Sequence, residues 1–247
     1  MIAFDEDFHV HSTFSDGAST LAENVRVARE RRLRTLCLVD HVRADTAWLP
    51  DFVRAVAPYR SVPGLRVLAG VEAKMLDQTG RLDVPPDLDR TDGIDLVLIA
   101  DHQFPGRDGP VHPAVMSAAL SDGKLSAAEV IEGLVTAITG ALDRTRRGVV
   151  AHLFSLLPKM GLDEEQVPAA LLNEVAAAAL RADALVEVNE KWLCPAPRTV
   201  AALAQAGVRL VAGSDSHHCR DIGVYDTMQP IMRGVPVTAL RSRPVPV

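Results

Sequence analysis

Eight histidines occur in this chain of 247 residues, and six of them fall where an apolar, strand-like run ends. His9-Val10-His11 follows the segment Ile2 to Phe8, and Asp40-His41 closes Leu36-Cys37-Leu38-Val39. His102 follows Ile94 to Ala100, His152 follows Gly148 to Ala151, and His217 follows Val208 to Ala212. Carboxylates share these ends: Asp16 in Ser15-Asp16-Gly17, Glu72 after Leu65 to Val71, and Asp215 two residues before His217. Side chains two apart in an extended segment point to the same side, so His9 and His11 can grip one ion while Asp16 reaches back from the turn. Neutral imidazole with carboxylate suits zinc, manganese or iron, and the lack of paired cysteines argues against a closed structural zinc site. Chance would scatter histidines over helices and loops as readily as over strand ends. The pattern predicts a polynuclear metal centre on one rim. His112, in a Pro-rich loop, and His218, beside His217, are read as ordinary structural histidines.

The elements that must carry these residues are legible in the hydrophobic pattern. Strand-like segments near 4–8, 35–39, 65–71, 94–100, 148–151, 184–188 and 209–213 alternate with helical patterns near 19–33, 46–58, 126–144, 164–181 and 197–206. Seven strands separated mainly by helices predict a parallel, barrel-like α/β sheet, whose functional rim is the carboxyl end of its strands. The candidate ligands lie at that end. Ser19-Thr20, Ser126 with Glu129, and Asp163 supply helix starts, and Gly207 a helix stop. The stretches 73–93 and 103–125 exceed simple connections, and the second, carrying Pro105, Gly106, Gly109, Pro110 and Pro113, is expected to be a substrate lid.

Composition fits one domain spanning 1–247: 48% hydrophobic and 23% charged residues suffice for a full core. The formal charge of -6 argues against long nucleic acid as a partner and favours a small anionic substrate held by metal ions. The N-terminus, Met1 to Asp7, has neither a basic region nor an apolar stretch of signal length, and no run approaches membrane-spanning length. A cytoplasmic location is the expectation. Three cysteines, Cys37, Cys194 and Cys219, cannot all pair; Cys37 sits in an apolar strand, and Cys219, near the proposed site, is not expected to act directly.

The ordered blocks His9-Val10-His11-Ser12-Thr13-Phe14-Ser15-Asp16-Gly17, Val39-Asp40-His41, Gly70-Val71-Glu72-Ala73, Asp101-His102, Ala151-His152 and Gly213-Ser214-Asp215-Ser216-His217 resemble the PHP family, the polymerase and histidinol phosphatase domain. Leu76 to Asp83 and Glu187-Val188-Asn189 look like its stand-alone bacterial phosphoesterase branch. The resemblance implies a distorted (β/α)7 TIM-like barrel, two to three divalent ions (zinc, manganese or iron) and hydrolysis of a small phosphorylated metabolite, as in a histidinol phosphatase. It places His9, His11, Glu72 and Asp215 on a first metal. Glu72 bridges to a second held by His102 and His152, and Asp16, His41 and His217 hold a third. Some relatives have a histidine where this chain has Asp16, and Asp40 is expected to orient a ligand.

That resemblance implies that Glu72, Asp215 and His217 form the reaction centre. Two metals sharing Glu72 would acidify a water between them, and the resulting bridging hydroxide would attack phosphorus in line. Lys191, Arg198 and Arg220, in segments after late strands, are candidate phosphate clamps. The alternatives are a related metallohydrolase cleaving a C–N or carboxylic ester bond, and a non-catalytic module of the same family. Filled ligand positions and the lack of an attached polymerase segment argue against the module.

Overall fold

A computed structural model describes residues 2–88, 91–233 and 235; residues 236–247 of the expected 1–247 unit lie outside the described residues. The seven expected strands form β1 (Glu6–Val10), β2 (Thr35–Val42), β3 (Arg66–Lys74), β4 (Leu96–Ala100), β7 (Gly148–Val150), β8 (Leu185–Asn189) and β9 (Arg209–Gly213). They make one parallel sheet in that spatial order. Strands buried on both faces read as continuous apolar runs; Leu36, Cys37, Leu38 and Val39 are all fully buried. Just beyond its end β1 meets β9: His11 N–H donates to Ser216 O at 2.9 Å and Ser216 N–H to His9 O at 3.2 Å. The barrel seam is thus closed by the backbone of His9, His11 and Ser216, two of which are candidate ligands.

Helices α1 (Leu21–Glu30), α2 (Leu49–Val56), α4 (Ala127–Arg144), α5 (Ala169–Arg181) and α6 (Pro197–Ala206) cover the outside, and α7 (Met228–Arg233) follows β9. Capping boxes at Thr20–Glu23 and Ser126–Glu129 start α1 and α4, as the sequence predicts. Gly207, at φ +91°, ends α6 in a left-handed conformation that a side chain would strain. The helix expected over 164–181 is split. Asp163 caps only a 3-10 turn at Glu164–Gln166, and Pro168 then opens α5, because the residue before a proline is pushed out of the helical region.

Interior and exterior cores differ. Phe8, Cys37, Val39, Leu68, Leu96, Leu98, Val149, Ala151, Leu185 and Val211 fill the barrel, while two larger clusters pack helices against its outside. Truncating Leu98 to alanine in that close-packed interior costs about 2–5 kcal/mol. The expected lid over 103–125 is a folded excursion: a hairpin of β5 (Phe104–Gly106) with β6 (Gly109–Val111), then α3 (Pro113–Ser121). Phe104 and Met116 bury into the outer core, so removing residues 113–120 would open that core rather than lift a loop. No helix among the described residues is long and apolar enough to cross a membrane.

Candidate metal centre

Strand alternation delivers ligands to the rim in two ways. On β2, β3 and β4 the interior positions continue outward without a break. Cys37 and Val39 lead to His41, Leu68 and Gly70 to Glu72, and Leu96 and Leu98 to Ala100 and then His102. On β1 and at the end of β7 the period breaks. Phe8 lies inside and Val10 outside although both are even, because the register shifts between Asp7 and Val10. That irregularity re-aims His9 and His11 inward. His152, next to interior Ala151, reaches the same space at φ +30°, and Asp215 leaves β9 at φ +52°.

The side chains converge on Glu72. His102 Nε2 and His152 Nε2 each lie 3.0 Å from its Oε1. Its Oε2 is 3.0 Å from His41 Nδ1, 3.4 Å from His9 Nε2 and 3.4 Å from His11 Nε2. His9 Nε2 and His11 Nε2 are 3.1 Å apart, and His11 Nε2 is 3.5 Å from Asp215 Oδ1. Nearer the surface, Asp16 Oδ2 lies 3.5 Å from His41 Nε2 and 3.4 Å from His217 Nε2. Three sets bring one ligand atom per residue within 4.8 Å of each other: His9, His11, Asp215; His41, Glu72, His102; and His11, Asp16, His41, His217.

This donor set fits divalent ions. Glu72 Oε2 and His11 Nδ1 are buried, and neither forms a hydrogen bond within the protein. Burying polar atoms without partners is costly, and a cation among them removes that cost. Burial pushes the Glu72 carboxyl up, but the imidazoles of His102 and His9 outweigh it and hold it well below the ordinary carboxylate range. Burial likewise lowers the His152 ring, and Asp101 and Glu72 reverse this, raising it to about 10. Carboxylates that attract a proton so strongly also attract a metal, which competes for the same ring nitrogens.

Four further carboxylates hold the centre in place. Glu187 accepts from His9 Nδ1 at 2.9 Å through Oε1 and from the His152 backbone N–H at 2.7 Å through Oε2. A Cβ on Gly213 would stand 1.8 Å from Glu187 Oε1, so only glycine leaves room for it. Asp101 lies 3.0 Å from His152 Nδ1 and accepts from Ser155 Oγ and Leu156 N–H. Asp7 accepts from the His9, Ser214 and Gly223 N–H groups. Asp40, expected to orient a ligand, accepts from the backbone and hydroxyls of Ser12 and Ser15 and so fixes the loop that carries Asp16.

All nine expected metal-binding residues meet in this one cluster. The expected phosphate clamps divide. Lys191 Nζ is at the centre, 3.2 Å from Asp215 Oδ1 and 3.1 Å from His217 Nδ1. Arg198 is committed elsewhere, to Glu165 and the Val167 carbonyl, and Arg220 is exposed beside Asp221. Both lie in the expected segments, but local backbone and carboxylate partners claim them. His112 and His218 cap the ends of α3 and a 3-10 turn, as expected of structural histidines. Sequence reasoning missed Trp192, whose Nε1 donates to Asp215 Oδ2 at 2.8 Å. It also missed Arg43 and Lys74, which line a cavity with His41, Glu72 and His102. The signal that could have found them is their place two residues beyond His41 and Glu72.

Comparison with known proteins agrees with this architecture. The model of the PHP domain matches residues 7–191. A protein of Vibrio parahaemolyticus named a probable phosphatase is 27% identical over 93% of this chain and 84% of its own length. One of the same name from Caldanaerobacter subterraneus is 26% identical over 89% and 79%. Among solved structures, a histidinol phosphate phosphatase of Lactococcus lactis, complexed with zinc, L-histidinol and phosphate, superposes with a TM-score of 0.68. It covers 96% of this chain and 94% of its own at 14% identity, a likeness of fold.

Proposed function

The chain belongs to the PHP domain family, and from that premise we propose that it is a metal-dependent phosphoesterase that releases phosphate from small phosphorylated metabolites. The observation that carries this is Glu72, a buried carboxylate with five imidazoles around it and one oxygen without a hydrogen-bond partner. We assign His9, His11, Glu72 and Asp215 to one ion, Glu72 with His102 and His152 to a second, and Asp16, His41 and His217 to a third. Bound there, zinc, manganese or iron would acidify a water and offset the charge that grows on a phosphate under attack.

The chain's own groups prepare the rest. Glu187 and Asp101 bond the far nitrogens of His9 and His152, so their Nε2 atoms face Glu72. Trp192 Nε1 and Lys191 Nζ hold Asp215 from both oxygens. The half-exposed Lys191 ammonium stands at the rim, where it can pair with a non-bridging phosphate oxygen as charge develops. A carbonyl substrate would use the same donors. The test is a phosphate-release screen over a metabolite panel, run beside amide and carboxylic ester substrates. Phosphate release with little acyl cleavage supports the assignment; acyl or C–N cleavage without phosphate release overturns it.

A further inference from the structure

Two cations stand one strand step above the ligand ring and face one cavity. The interior face of β2 runs Cys37, Val39, His41, and that of β3 runs Leu68, Gly70, Glu72. Continuing the alternation brings Arg43 after His41 and Lys74 after Glu72. The pairing of His41 with Glu72 and of Val42 with Ala73 sets Arg43, the first residue past the end of β2, beside Lys74 at the end of β3. At about 3.3 Å per residue they lie roughly 6.6 Å further out than the ligands.

Both line an open cavity of about 540 Å³ whose floor is His41, Glu72 and His102 and whose walls include Trp48, Asp83 and Gln103. Lys74 Nζ donates to the neutral Gln103 Oε1 at 3.1 Å, and among the described residues neither Lys74 nor Arg43 has a carboxylate at ion-pair distance. Three acids also line the cavity: Glu72 and Asp16 face the imidazoles of the candidate metal centre, and Asp83 spends one oxygen on the Ala44 N–H at 2.9 Å. Like charges on adjacent strands repel, and an anion between them removes the repulsion. The volume is that of a small-molecule site, far more than one phosphate group fills. Trp48, braced by Phe14 and Phe52 at ring distances of 5.6 and 5.8 Å, offers an apolar wall to carbon. The cation beside the ligand ring is already Lys191, on the far side, at Asp215 and His217.

We infer that this cavity is the leaving-group subsite, and that it selects phosphate monoesters whose organic part carries a second anionic group, carboxylate or phosphate, held by Arg43 and Lys74. The inference rests on the phosphoesterase reading above. Its test compares matched esters on the metal-replete full chain: glycerol 3-phosphate against 3-phosphoglycerate, and fructose 6-phosphate against fructose 1,6-bisphosphate. The first pair reads a carboxylate, the second a phosphate. In at least one pair the doubly anionic member should have the higher kcat/KM by about tenfold, the worth of one charge-assisted contact, expressed mainly in KM. In R43Q/K74Q that ratio should fall to near one, and in R43E below one. A ratio near one for both pairs in the parent chain, or a ratio that survives in the double variant, overturns the subsite. Failure to release phosphate from any of the four esters, in a chain that does release it from other members of the metabolite panel, overturns the subsite alone; failure across the whole panel overturns the phosphoesterase reading itself.

Discussion

His9, His11, Glu72 and His152 are 0–2% exposed, whereas the side chains of Asp16, His41, His102 and His217 are 31–56% exposed. The inner rings are also oriented from behind, His9 by Glu187 and His152 by Asp101, while Glu72 and Asp16 are the carboxylates that His41 approaches. The difference is one of preorganisation. On the proposed assignment, the inner candidate ligands are locked by packing and charge before any ion arrives, and the outer ones would have to be gathered by the ion they bind. An inner metal should therefore bind more tightly than an outer one, and damage should spread further from the inner half.

The largest effect should come from Glu72→Gln, which touches both halves. We expect turnover to fall on the order of 10³-fold, against about 10–100-fold for His41→Ala, measured as kcat at saturating metal. Equal losses would erase the distinction between a shared inner carboxylate and an outer ligand. Glu187→Ala comes next. It leaves the His9 ring and the His152 N–H without a buried partner, so stability should drop by about 3 kcal/mol, lowering Tm by roughly 6–12 °C. Metal affinity should weaken about 10–100-fold in a chelator competition. Glu187→Gln, able to accept at one oxygen, should recover part of the loss.

Asp16→Ala probes the outer half alone. With its carboxylate in solvent, stability should change by less than about 1 kcal/mol, while elemental analysis shows one ion fewer per chain. Loss of every ion on this change would mean that the halves bind as one unit. The smallest effect should belong to Trp192→Phe, which removes one hydrogen bond to Asp215 and leaves the ring wall in place. About 0.5–1.5 kcal/mol of stability and a few-fold change in kcat are expected, read by thermal melts and steady-state rates.

How far the sequence could be read follows the same geometry. Where alternation runs unbroken, on β2, β3 and β4, His41, Glu72 and His102 are legible as strand-end ligands, and the seven strands are legible from their apolar runs. At His9 and His152 the residue types alone identify the ligands, since a register shift and a positive φ carry them there. Glu187 is legible as part of a family-like block, but its role is not; its partners, His9 and His152, are joined to it only by closure of the barrel. Arg198 and Arg220 are misread because position after a strand does not say which local partner a guanidinium takes. The hairpin and α3 are hidden in a segment rich in glycine and proline, where turn chemistry masks short elements.

The central claim is that divalent ions at Glu72 and its imidazoles perform phosphoester hydrolysis. The most direct measurement is phosphate release by the metal-replete chain, followed with elemental analysis through chelation and metal add-back. The account predicts two to three ions per chain at the outset, loss of phosphate release as the inner ions leave, and recovery when zinc, manganese or iron is restored. Phosphate release that continues undiminished in protein stripped of metal, or a chain that takes up no transition metal when saturated with it, would contradict it.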